Sequence, residues 1–175
     1  MKHSAFFLLL LFSINATGQK LQSNVEFAGN KVLVLLAKKE ALQAPGKLSS
    51  GEIIKVGCGN SGCYFRIEYK GREIEKSIGD DITVATIYEY DFAGDGDFEI
   101  VVVNDFKKTS FIYIYSYSRG IIQELFEKEI LYNRTVLKKD YIEYYVPGGE
   151  DLLWNYYQGH FWLMTPYENE ESKIK

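Results

Sequence analysis

Four carboxylates fall within nine consecutive positions: Asp91, Asp95, Asp97 and Glu99, in the segment Asp91-Phe92-Ala93-Gly94-Asp95-Gly96-Asp97-Phe98-Glu99. In a loop that folds back on itself, alternate residues point inward. Acids crowded in this way repel one another unless a cation neutralises them, and a hard ion such as Ca²⁺ takes oxygen ligands of this kind. Gly94 and Gly96 can supply the positive φ angles that a sharp ligand loop needs. The segment is not an EF-hand loop. Its twelfth position is Val102, and the apolar run Ile100-Val101-Val102-Val103 reads as a strand where a helix should follow. The competing reading is an acidic, glycine-rich turn that holds no ion.

Other chemistry is sparse. Cys58 and Cys63 are the two cysteines, in Gly57-Cys58-Gly59-Asn60-Ser61-Gly62-Cys63. Beyond the first residues the chain has one histidine, His160, so a four-ligand zinc site is poorly supplied and a disulfide is the expected pairing. The same stretch matches G-x-G-x-x-G. A dinucleotide site needs a helix after that motif, and Tyr64-Phe65-Arg66-Ile67-Glu68-Tyr69 alternates like a strand instead. General acid–base catalysis usually recruits histidine, and His160 lies beside a hairpin turn. No nucleophile-elbow motif is present. The chain is therefore read as non-enzymatic. Paired carboxylates for glycoside hydrolysis follow no sequence spacing, which leaves a glycoside hydrolase as a remote alternative.

The elements that must position these groups are strands. Short alternating or compact apolar segments recur at Lys31–Ala37, Glu52–Val56, Cys63–Lys70, Glu73–Ile78, Val84–Tyr90, Phe98–Asn104, Ser110–Tyr117 and Ile121–Lys128. Four more follow, at Ile130–Val136, Tyr141–Val146, Leu152–Tyr157 and His160–Met164. Lys70-Gly71, Arg119-Gly120 and Gln158-Gly159 read as tight hairpin turns. Leu36–Gln43 is the best helix candidate and equally well a strand followed by a loop. The expected fold is all-β: about twelve strands in three antiparallel meanders of four, arranged as propeller-like blades or as a small sandwich. On Phe111–Tyr117, Phe111, Tyr113, Tyr115 and Tyr117 share one face and Ile112, Ile114 and Ser116 the other. One of the two is expected to face the core.

Asp91-x-x-Gly94-Asp95-Gly96-x-x-Glu99, followed by Ile-Val-Val, resembles the calcium loop of FG-GAP/VCBS-type repeats, which occur in integrin-like propellers and many exported bacterial proteins. The resemblance covers one blade, about 35 to 40 residues, on a moderately specific motif. It implies that Asp91, Asp95 and Glu99 donate side-chain oxygens and Asp97 its main-chain carbonyl to a structural calcium ion. Ala93 departs from the family pattern, since Asn or Asp is usual at that position. The departure removes one ligand.

The start of the chain bears on destination. Lys2 and His3 precede the apolar run Ala5–Phe12, and Ala16 and Gly18 offer a small pair before a cleavage point. This is the pattern of a secretory signal peptide over residues 1–18, leaving one β domain at 19–167 and a charged tail at 168–175. The run is too short to span a bilayer, which takes about 20 apolar residues. Export to the periplasm or extracellular space agrees with the expected disulfide. The chain has 20 basic and 24 acidic residues, a net charge of −4, and no basic stripe, which argues against a nucleic-acid partner.

A disulfide-tied, tyrosine-rich β domain without catalytic groups acts most naturally by presenting a surface. At fold level the resemblance points to small periplasmic inhibitors and immunity proteins that block cell-wall-targeting toxins or lysozymes with inserted loops. A calcium-dependent adhesion or surface-recognition module is the alternative. The candidate contact loops are Gly57–Cys63, with Asn60 and Ser61, and Pro147–Asp151, with Gly148, Gly149 and Glu150. Tyr144, Tyr145, Tyr156 and Tyr157 form a candidate aromatic patch, because tyrosine is favoured at interface hot spots.

Overall fold

The computed structural model describes residues 25–39, 42, 45–106, 109–130, 134–146 and 148–164. The expected signal peptide, the tail at 168–175, Pro147 and part of the Leu36–Gln43 segment lie outside the described residues. The described residues are nearly all β, forming fourteen strands in three sheets.

The first sheet is the meander β3 (Gly46–Lys47), β4 (Ile53–Gly59), β5 (Gly62–Tyr69) and β6 (Arg72–Gly79). The second runs β7 (Val84–Tyr90), β8 (Glu99–Phe106), β9 (Thr109–Ser118) and β10 (Ile121–Ile130). Its β7 edge is extended by an earlier strand, β2 (Lys31–Lys38), antiparallel to β7. The third runs β11 (Thr135–Lys138), β12 (Tyr141–Tyr144), β13 (Leu152–Tyr157) and β14 (His160–Met164). Here β1 (Val25–Ala28) adds to β11 in parallel. None of the three sheets closes into a barrel among the described residues.

The expected grouping by fours therefore holds, with one correction. Lys31–Ala37 does not open the first meander. It pairs with β7, from Lys31 opposite Tyr90 to Lys38 opposite Val84, and the two-residue β3 takes its place. Leu36–Lys38 is strand rather than helix. The tight turns fall where expected. At Lys70-Gly71, φ is 49° and 73°, and the other two X-Gly pairs repeat the pattern. Positive φ at both central residues matches the right-handed twist of the flanking strands.

The sheets stack as three layers with two apolar cores. Ile54, Val56, Phe65 and Ile67 of the first sheet, with Leu48 from the turn after β3, pack on Ile87, Ile100, Val102, Tyr113 and Tyr115 of the second. The opposite face of the second sheet, with Val101, Val103, Ile112 and Ile114, packs on Leu137, Ile142 and Tyr144 of the third. The central strands of the middle sheet are thus buried on both faces, and seven of the eight residues of β8 are buried. This corrects the expectation for Phe111–Tyr117: both of its faces are core. Tyr115 is accommodated because its hydroxyl donates to the Ser77 carbonyl at 3.0 Å.

Candidate functional site

The acidic loop joins β7 to β8, two adjacent inner strands of the middle layer, and its entry is firmly anchored. Tyr90 is 2 % exposed, and its hydroxyl donates to the Ala28 carbonyl at 3.0 Å and to that of Leu137 at 3.3 Å. Phe92 is fully buried, with its ring edge-on to Tyr90 at 4.7 Å and to Phe161 at 5.2 Å. Its carbonyl accepts from the Asp140 amide at 2.8 Å, which ties the loop to the β11–β12 turn.

Beyond Phe92 the loop winds around one carboxylate. Asp91 Oδ1 accepts from the amides of Gly94 at 2.5 Å and Asp95 at 3.2 Å, and Oδ2 from that of Gly96 at 3.0 Å. Gly94 and Gly96 adopt φ of +70° and +92°, as the sharp reversal requires. Asp95 Oδ1 accepts from the Asp97 amide at 2.9 Å, and Asp97 is exposed. Glu99 turns the other way. It is 6 % exposed, accepts from the Phe92 amide at 3.2 Å through Oε2, and from the Tyr156 hydroxyl at 2.8 Å through Oε1. Burial pushes its pKa up, and these two hydrogen bonds oppose the shift. The same burial, with the Glu99 charge beside it, raises the pKa of Tyr156.

As ligands for a hard cation, these oxygens fit in type and fall short in convergence. Among the described residues no three His, Cys, Asp or Glu side chains gather closely enough to share an ion. Asp91 and Asp95 sit on one turn and keep lone pairs beyond those given to amides, whereas Glu99 is committed inward. A calcium ion here would draw on the Asp91 and Asp95 side chains and on the Asp97 main-chain carbonyl, with water completing the six to eight oxygens it takes. Lys139 also leans over the turn. A Cβ placed on Gly94 would stand 2.6 Å from Lys139 Cε and 2.7 Å from its Nζ.

A cleft of about 500 Å³ opens beside the loop, where all three sheets meet. Glu89, Glu99, Asp97, Tyr117 and Tyr156 are among its walls, together with the Ser49-Ser50 turn. Glu89 is 4 % exposed and is held by Ser49, whose hydroxyl donates at 2.7 Å and whose amide donates at 3.0 Å. Sequence reasoning passed over Glu89, although a signal was present. Ala85, Ile87 and Glu89 share one face of β7, so an acid stands where alternation calls for an apolar core residue. Tyr117 and Lys139 carry no comparable local mark.

The remaining candidates divide between two ends of the stack. Cys58 and Cys63 face each other across β4 and β5 and form the expected disulfide, with Asn60 and Ser61 exposed at the turn. Gly148, Gly149 and Glu150 are exposed between β12 and β13. Both loops lie at the strand ends away from the acidic loop. Tyr156 and Tyr157 lie at the acidic end, and only Tyr157, 61 % exposed, faces out freely. Tyr144 is 7 % exposed and belongs to the core, and Tyr145 is half-buried, donating to Glu143 at 2.7 Å. The four tyrosines therefore do not form one surface. His160 is exposed beside Trp162. Among the described residues no helix is long and apolar enough to cross a membrane.

Comparison with protein-family models, with curated proteins and with solved structures gave no match.

Proposed function

We propose that this protein is an exported, non-enzymatic β domain that acts by binding another protein, as an inhibitor or immunity-type partner of a cell-wall-targeting toxin or lysozyme. The observation that carries this reading is the disposition of two loops. The Asn60-Ser61 turn, closed by the Cys58–Cys63 disulfide, and the Gly148–Glu150 loop project from the same end of the stacked sheets, one from each outer layer. Loops fixed on a rigid scaffold lose little entropy on docking, which is what insertion into an enzyme cleft demands. The disulfide and the leader-like first eighteen residues support export.

In this reading, calcium at the loop of Asp91, Asp95 and Asp97 has a structural role. The loop is pinned between two inner strands at the opposite end from the contact loops. An ion there would stiffen the platform without touching the partner. The FG-GAP/VCBS-like spacing of Asp91, Gly94, Asp95 and Gly96 supports that assignment, while Glu99, a ligand in that pattern, is held inward by Phe92 and Tyr156.

The test is capture from periplasmic extract together with inhibition of a panel of lysozymes and peptidoglycan hydrolases. Inhibition that weakens in Asn60→Ala and in Glu150→Ala is the expected result, and failure to bind any such hydrolase removes the reading. A calcium-dependent adhesion module is the second reading. It is favoured by Trp162 and Tyr157, 62 % and 61 % exposed on the outer face of the last sheet. Calcium-dependent binding to whole cells, lost in Trp162→Ala, would select it.

A further inference from the structure

The cleft beside the acidic loop poses a charge problem that the reading above leaves open. Glu89 and Glu99, 4 % and 6 % exposed, line it, and Asp95 and Asp97 stand at its rim. No Lys, Arg or His is among its walls, and the ion pairs of the described residues involve none of these four acids. Ser49, Tyr156 and the Phe92 amide fix the two buried carboxylates by donating to them. Hydrogen bonds of this kind hold a carboxylate in place and leave its charge uncompensated. Each carboxylate oxygen also keeps acceptor capacity beyond these bonds.

Size separates this cavity from an ion site. At about 500 Å³ it lies in the range of small-molecule pockets. Asp91, around which the loop folds, is not one of its walls. Tyr117, Tyr156 and Phe98 add aromatic surface, and Phe98 is 37 % exposed. Fixed carboxylates with aromatic neighbours suit an organic cation, which gains charge-assisted hydrogen bonds from the acids and cation–π attraction from the rings.

We propose that this cleft binds a primary ammonium or guanidinium group carried on a slender apolar stem. The site goes beyond the partner-binding loops, which lie at the other end of the stack, and does not depend on them. Such a group could arrive as a free polyamine or as a basic side chain of a protein.

A backbone-amide NMR titration separates these sources and tests the site. The probes are spermidine, N-acetyl-arginine amide and its neutral isostere N-acetyl-citrulline amide, each added with calcium and again with a chelator. The expected result is saturable shifts at Ser49, Gly96 and Ser118 with at least one cation and none with the citrulline compound. Whichever cation binds identifies the source. Glu89→Gln, which keeps an acceptor for Ser49, should weaken binding roughly tenfold. Asp97→Asn, on the exposed rim, should weaken it severalfold, read in the presence of chelator so that no ion draws on the loop. Absence of saturable shifts with both cations overturns the proposal. So does equal binding of the citrulline compound, or undiminished binding in the Asp97→Asn protein. These outcomes are read independently of any hydrolase inhibition.

Discussion

The Tyr156 hydroxyl donates a 2.8 Å hydrogen bond to Glu99 Oε1, joining the last sheet to the first residue of β8. Glu99 is almost fully buried, and its other oxygen already holds the Phe92 amide. The bond therefore satisfies an acid that water does not readily reach. Tyr156→Phe keeps the ring against Phe92 and Phe161 and removes only the donor. Leaving a buried acceptor unpartnered costs about 1–3 kcal/mol. The variant should show a lower denaturation midpoint in urea with an unchanged slope. A midpoint equal to the parent's would mean that the bond contributes nothing net.

Calcium should raise the thermal midpoint of the purified domain if the acidic turn takes the ion. A ligand that binds only the folded state at a hundred times its dissociation constant adds about 2.7 kcal/mol. Ala93 stands where the FG-GAP/VCBS-like pattern usually has a ligand, so saturation should need more ion than in a full ligand set. Asp95→Ala and Asp91→Ala should lose the gain. Asp91→Ala should also lower stability without the ion, because three amides then lack their acceptor. Scanning calorimetry with and without Ca²⁺ reads both effects, and identical parent midpoints would return the loop to an acidic turn that holds no metal.

The disulfide lends itself to a sharper test than the rest of the fold. Cys58 and Cys63 close a short loop, and on the chain-entropy model such a crosslink contributes roughly 2 kcal/mol. The double variant Cys58→Ser/Cys63→Ser should unfold earlier by about that amount in denaturant. Cys63 is 2 % exposed in the first core, so the serine hydroxyl adds a modest further cost. If the Asn60-Ser61 turn contacts a hydrolase, the same variant should lose affinity at temperatures where it remains folded. Unchanged inhibition would separate the turn from the interface.

How far these features could be read in advance depended on how local they were. The hairpins at Lys70-Gly71, Arg119-Gly120 and Gln158-Gly159 and the alternation around them are local signals, and each joins the two antiparallel strands expected there. Two placements depend on the whole fold. In β2, Leu35 and Ala37 pack toward the first sheet while the backbone pairs with the second, and an apolar run alone cannot distinguish those roles. In β1, a four-residue strand docks parallel to β11 more than a hundred positions away, and Val-Glu-Phe-Ala carries no mark of that partner. The acidic spacing was plain to see, but the inward turn of Glu99 was not. It depends on Tyr156, which comes from another sheet.

Acid pH should change stability in a direction set by Asp105. This residue is 5 % exposed at the end of β8 and accepts a hydrogen bond from the Ser110 hydroxyl. Burial holds its pKa above the ordinary value of 3.8, and the serine bond only partly offsets that shift. Below the ordinary value, folded and unfolded chains both hold the proton. As pH rises through that value the unfolded chain releases it first, so this group's contribution to folding is lost until the raised folded pKa is passed. Asp105→Asn keeps an acceptor for Ser110 and cannot ionise. It should be more stable than the parent at neutral pH, with the gap closing as pH falls through the raised folded pKa toward the ordinary aspartate value and gone below it. Glu99 shifts in the same sense, so the variant's profile should flatten rather than become level. Urea titrations across that range measure the gap, and a constant difference between the two proteins would show that Asp105 ionises equally well in the folded and unfolded chains.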